Sequence, residues 1–184
     1  MLLPEPYFSQ FKKALYGKAH PSFAQIATVD QDHSPKVRTV LFYDFELVGS
    51  LAFACSNATE KWSQLQANPK VCGLYLDPDN WAQYRFEAHA TLLEQDDELS
   101  QLMWKKQRAD LKEFQWQEYY RLQNSTGEID VEKICPLHGA VTLEPYHWDI
   151  FRLGLTDFAE GQRVIIDKQN DEWQVDDNAS IMHP

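Results

Sequence analysis

Arg38 stands in the run Arg38-Thr39-Val40-Leu41-Phe42, a cation among residues that favour a β-strand. Further along, Ser56-Asn57-Ala58-Thr59-Glu60-Lys61 leads from the end of an apolar run into a helical pattern. A helix start presents N–H groups without intrahelical partners and a partial positive charge, which suits a phosphate. Thr59 adds a hydroxyl there and Lys61 a full charge. If the strand carrying Arg38 lies beside residues 51–55, both cations converge on one dianion through charge-assisted hydrogen bonds. A third segment, Gln83-Tyr84-Arg85-Phe86, alternates polar and aromatic side chains as a barrel strand does. Taken singly, each has an ordinary alternative: a solvated strand arginine, a plain capped helix, an unremarkable strand.

Other chemistries lack their residues. The sequence has no GxGxxG and no GxxxxGK[ST], so a dinucleotide fingerprint and a P-loop are both excluded. The six histidines show neither HxxxH nor HExxH spacing, and no metal site is expected. No nucleophile elbow is present either. A phosphate in this chain must be held by side chains and a helix end, because only seven glycines are available.

The elements that position these residues follow from periodicity. Residues 7–17 repeat apolar groups at helical spacing. Residues 23–29 and 36–42 read as a hairpin joined by a polar connection, and 51–55 as a third strand. Asn57 is the expected N-cap of the next helix, with Glu60 completing a capping-box pattern, and Asn68-Pro69 ends it. Strands are expected at 70–76, 83–93, 140–143, 147–153, 163–167 and 173–175. Residues 94–122 are polar and helical in pattern, with a loop near 124–127. The order carries no regular βαβ alternation, so a mainly antiparallel β-barrel with helical decoration is expected, as one domain over 1–184.

The bulk numbers agree. A chain of 184 residues with 43% hydrophobic and 13% aromatic residues can bury a genuine core. The formal net charge of −11 opposes general nucleic-acid binding. No stretch is long and apolar enough to cross a membrane, and the start of the chain has no secretory pattern, so a cytoplasmic protein is expected. Cys55, Cys72 and Cys135 are odd in number, contain no CxxC, and read as buried free thiols.

The order of these segments resembles the FMN-binding split barrels related to pyridoxamine 5'-phosphate oxidase. The matching stretches are Ile26-Ala27-Thr28-Val29-Asp30, Val37-Arg38-Thr39-Val40-Leu41-Phe42, Thr59-Glu60-Lys61, Asn68-Pro69 and Gln83-Tyr84-Arg85-Phe86. The likeness continues more loosely through Trp104, Phe114-Gln115-Trp116 and Trp173-Gln174-Val175. The resemblance implies a six-stranded antiparallel split β-barrel with a helical insertion at about 94–122, and a homodimer with FMN at the subunit interface. It implies that Arg38 and Lys61 grip the FMN phosphate with help from Thr59. The backbone of Val40 and Leu41 would lie along the flavin ring, with Thr39 also at a cofactor-binding position. Cys55 and Gln83 fall at flavin-contacting positions, and Gln107 and Arg163 at positions that relatives contribute from the second subunit.

The oxidases themselves end the segment matching 38–43 with a lysine, where this chain has Tyr43. They place an arginine before the helix lysine, where this chain has Glu60. Their Arg-x-His near the C-terminus falls on Phe158-Ala159-Glu160, which has neither group, and their terminal Arg-Leu-x-Pro falls on Ile181-Met182-His183-Pro184, which keeps the proline and loses the arginine. The implied role is thus an FMN-dependent oxidoreductase on a different small substrate, with a non-catalytic flavin- or haem-binding protein as the alternative.

Overall fold

The computed structural model describes residues 2–16, 23–43, 50–110, 133–154 and 160–177. Expectations that fall on 111–132 (including Phe114-Gln115-Trp116 and the loop near 124–127), on 158–159 and on 181–184 lie outside the described residues. In chain order the elements are α1 (Tyr7–Tyr16), β1 (Phe23–Val29), β2 (Pro35–Leu41), β3 (Leu51–Ser56), α2 (Glu60–Ala67), β4 (Lys70–Asp77), β5 (Ala82–Leu93), α3 (Glu98–Asp110), β6 (His138–Arg152), β7 (Gln162–Gln169) and β8 (Glu172–Asp176).

All eight strands join one antiparallel sheet in the order β2-β1-β4-β5-β6-β7-β8, with β3 paired to β6. The first six strands account for the expected barrel, and β7–β8 is a hairpin added to one half of β6. The division lies in β6 itself. Its first half, from His138 to Leu143, pairs with β3, and its second half, from His147 to Arg152, pairs with β7. Between them Ala88 stands opposite Pro145 and Glu87 opposite His147, so Tyr146 is an extra residue in a bulge. Proline has no N–H for the ladder, and a bulge is where a long strand tolerates it. The two strands expected at 140–143 and 147–153 are therefore one.

A second correction concerns β2. It was expected beside β3, but among the described residues it pairs with β1 alone, and β3 pairs with β6. The Tyr43 N–H donates to the Ala52 carbonyl at 2.9 Å and links the end of β2 to β3. The two strands are neighbours across the seam without forming a ladder.

The barrel interior is aromatic. Phe11 of α1 plugs it, with its ring 5.0 Å from both Tyr84 and Trp148, and the Tyr75 hydroxyl donates to the Ala14 carbonyl at 2.7 Å. Strand alternation sorts the faces as expected: Tyr84 and Phe86 are buried, whereas Gln83 and Arg85 point outward and are half-buried. Phe86 lies over Gly73, where an added Cβ would stand 2.0 Å from the ring, so this close crossing of β4 and β5 requires glycine.

Candidate functional site

Arg38 sits opposite Ile26 in the β1–β2 hairpin, on the inner face shared with Val40 and Thr28. It is half-buried. Its Nη1 donates to the Thr28 hydroxyl, and its Nη2 donates to Gln64 Oε1 at 3.0 Å. The Thr28 hydroxyl in turn donates to the same Gln64 oxygen at 2.6 Å. Burial pushes the guanidinium below its usual pKa, while nearby Glu60 and Cys55 favour its charged form. An arginine under such influences stays charged at neutral pH.

The second cation comes from the start of α2. The expected cap differs in detail. Thr59, not Asn57, is the N-cap residue, and its hydroxyl donates back to the Ser56 carbonyl at 2.8 Å instead of capping the helix. Asn57 turns away and donates to the Pro136 carbonyl. The capping-box spacing is present, but the chain makes an extra turn in which Ser56 Oγ accepts the N–H of Ala58. Among the hydrogen bonds at this helix start, none uses the N–H of Glu60 or Lys61. Trp62 anchors the element: its ring fills the space above Gly139, where an added Cβ would lie 2.5 Å away.

Lys61 lies over the Phe53 ring, its Nζ 5.1 Å from the ring centroid. Burial is the main cause that lowers its pKa from the ordinary lysine value, and Arg38 pushes in the same direction. Arg38, Ala58, Thr59, Glu60 and Lys61 line one recess of about 370 Å³. Among the described residues, neither Arg38 nor Lys61 has a carboxylate within ion-pair distance. Cys55 is fully buried behind them. Its burial raises the thiol pKa, and the two cations pull it down.

The remaining expected site residues fall into two groups. Thr39, Leu41, Gln83 and Arg163 share the outer face of the sheet, as cross-strand registers require: Leu41 faces Phe23, Gln83 faces Leu76 and Phe151, and Phe151 faces Arg163. Val40 points inward and is buried, so only its backbone is accessible on β2, whose second edge has no strand partner among the described residues. Gln107 lies on α3, which packs on β6 and β3, and does not line the recess.

Thr28 and Gln64 belong to the site but carried no expectation from sequence. Gln64 follows Lys61 by three residues on α2, so it faces the same way, and that spacing was the available signal. Two further features were not foreseen. Asp149 of β6 binds Arg163 through Oδ1–Nε at 3.1 Å and Oδ2–Nη2 at 2.9 Å, and also accepts from Arg85. Tyr43, where the oxidases have a lysine, is buried and accepts the Tyr16 hydroxyl at its carbonyl. That position seals the seam between β2 and β3. Of the cysteines, Cys55 and Cys135 are buried as expected, whereas Cys72 is exposed on the outer face. Among the described residues no group of His, Cys, Asp and Glu could hold a metal, and no helix is long and apolar enough to cross a membrane.

Comparison with known proteins places this architecture. The chain is similar over 98% of its length to a pyridoxamine 5'-phosphate oxidase-related, FMN-binding protein from Nostoc punctiforme, all of which it covers, with a TM-score of 0.75 and 20% identity. It is similar over 96% of its length to PhzG from Burkholderia lata, solved with tetrahydrophenazine-1-carboxylic acid, with a TM-score of 0.75, 14% identity and 94% of that chain covered. At these identities the likeness shows the fold, an antiparallel split barrel. No curated protein matches the chain. The family model described as pyridoxamine 5'-phosphate oxidase matches residues 12–134, and the chain belongs to that family.

Proposed function

We propose that this chain binds FMN and works as an FMN-dependent oxidoreductase on a small substrate, as a cytoplasmic homodimer with the flavin at the subunit interface. One observation carries the reading: two cations that have no carboxylate within ion-pair distance among the described residues line one recess together with the start of a helix. A guanidinium, an ammonium and a helix start are a donor set for a phosphate, with no carboxylate bridging them. The donors present therefore fit the FMN phosphate. Arg38 and Lys61 hold it, and the Thr59 hydroxyl turns from the Ser56 carbonyl to join them.

The backbone of Val40 and Leu41 would lie against the flavin ring, with Thr39 and Cys55 among the cofactor-binding positions. Gln83 contacts it on the outer face. Gln107 and Arg163 reach it from the second copy. Phe23, Val37 and Leu76, all more than half exposed on that outer face, are the apolar surface that the second copy covers. When bound, the flavin supplies the redox chemistry, and the chain's own residues bind and orient it and exclude water. The FMN binding named for the Nostoc relative supports the cofactor.

The test is an absorbance spectrum of freshly purified protein, followed by flavin-fluorescence titration with FMN. Arg38→Ala and Lys61→Ala should each weaken FMN binding by about 1.5–3 kcal/mol, the range for hydrogen bonds to charged groups. A protein that retains no FMN and ignores added FMN overturns the reading.

A further inference from the structure

We propose that Gln64, acting with Thr28, is a positioning residue that locks the Arg38 guanidinium toward the recess while leaving its positive charge free for a phosphate. This rests on the reading of the recess as the FMN phosphate site.

Three elements meet at this point. Arg38 comes from β2, Thr28 from β1 and Gln64 from α2, and their side chains close a triangle of hydrogen bonds. Thr28 is fully buried and Gln64 is 7% exposed, so two of the three corners are fixed by the packing around them. Arg38 is the corner with freedom, on a strand that has no second strand partner among the described residues. An arginine so placed has several rotamers, and only some aim at the recess. Two hydrogen bonds from different nitrogens define the plane of the fork and leave Nε–H and two other N–H donors for an anion.

The chemistry of the third corner matters as much as its place. Gln64 Oε1 accepts from both Arg38 and Thr28, which uses both its lone pairs. The amide cannot be reversed, because its NH₂ would then face a guanidinium that has only donors. A glutamate here would satisfy the same two donors with the same shape. It would also neutralise Arg38 and oppose an incoming phosphate. The amide therefore supplies the geometry of a carboxylate without its charge. Gln64 also lies one turn beyond Lys61, so the same contact holds the α2 start in register with β2. Both cations are thereby set relative to one another.

The experiment compares FMN with riboflavin, which share the ring and differ in the phosphate. The wild type is expected to prefer FMN. Gln64→Leu should reduce that preference about tenfold, and Gln64→Glu, which keeps the shape and adds a charge, by more, with riboflavin affinity unchanged in both. In an Arg38→Ala background neither substitution should change the preference further, since Gln64 acts through Arg38. A merely structural role would weaken both ligands alike and persist in that background, and this result would overturn the proposal. So would a wild-type preference retained in Gln64→Glu. If Arg38→Ala itself leaves the preference intact, the phosphate reading falls and the positioning role falls with it. If Arg38→Ala abolishes the preference but the Gln64 variants do not, only the positioning role is lost.

Discussion

Two clusters in this barrel each gather a pair of cations, and they dispose of the charge in opposite ways. Around Asp149, Arg85 and Arg163 converge on one carboxylate, whose side chain is only 10% exposed. There the partner is built into the fold, on the strand that lies between the two arginines. Around the recess, Arg38 and Lys61 face a neutral amide, a hydroxyl and an aromatic ring. Arginine and lysine are rarely buried without anionic partners, because desolvating a charge is costly unless something repays it. On the proposed reading, the difference separates a structural ion pair, complete in the folded chain, from a binding site that a ligand completes. A flavin at Arg163 would meet a charge already paired with Asp149, whereas one at Arg38 and Lys61 would meet net charge.

The sharpest break in this comparison is Asp149→Ala. It removes the carboxylate that Arg85 and Arg163 share and should cost about 2 kcal/mol of stability, within the range for hydrogen bonds to charged groups. Urea denaturation measures it. The ratio of FMN to riboflavin affinity should not move, because this cluster is not on the phosphate. Arg38→Ala should do the reverse, lowering that ratio with little loss of stability. A loss below about 1 kcal/mol for Asp149→Ala would place the cluster with ordinary surface pairs.

The comparison sharpens with pH, since arginines do not titrate in the accessible range and Lys61 does. Burial holds the folded, flavin-free Lys61 below the ordinary value of 10.5. Between that lowered value and 10.5 the unfolded chain binds more protons than the folded one. Stability of the flavin-free protein should therefore rise with pH across this window. Phosphate favours the ammonium, so FMN affinity should fall over the same rise, by about tenfold or more once the charge is lost. Thermal melting without flavin and FMN titration from pH 7 upward read the two opposite trends. Lys61→Met should abolish both, and a flat affinity profile in the wild type would remove Lys61 from the phosphate.

What sequence could show of this arrangement was local. Strand alternation in 83–86 sorted inner from outer residues correctly, because a period of two is fixed by the pleat. The helix start with Lys61 was legible from cap-type residues before it and Asn68-Pro69 after it. The β2–β3 neighbourhood was misplaced as a ladder, because pairing between distant strands depends on the whole sheet. Residues 144–146 fell between two expected strands, and the bulge at Tyr146 that lets one long strand carry Pro145 needs both paired strands to be seen. Asn57 matched a capping pattern that the extra turn at Ser56 displaced. Thr28 and Gln64 are separated by 36 positions, and only the packing of α2 on β1 makes them partners of Arg38.

The smallest expected effect is also the most discriminating for the open cluster. Glu60 lines the recess and is exposed, and its carboxylate lies close enough to favour the charged form of Arg38 without forming an ion pair. It partly offsets the surplus charge on which the comparison depends. Glu60→Gln removes that offset and keeps the side-chain length at the helix start. The carboxylate also complements the positive end of α2, so its loss costs the helix a few tenths of a kcal/mol. Toward a phosphate, the balance should favour the amide by about 0.5 kcal/mol, a two- to threefold gain in FMN affinity that fades at high salt, as expected for solvent-screened charges. Riboflavin affinity should stay constant. A gain shared by both flavins, or one indifferent to salt, would mean that Glu60 acts on packing at the mouth of the recess and that its charge is not what Arg38 and Lys61 feel.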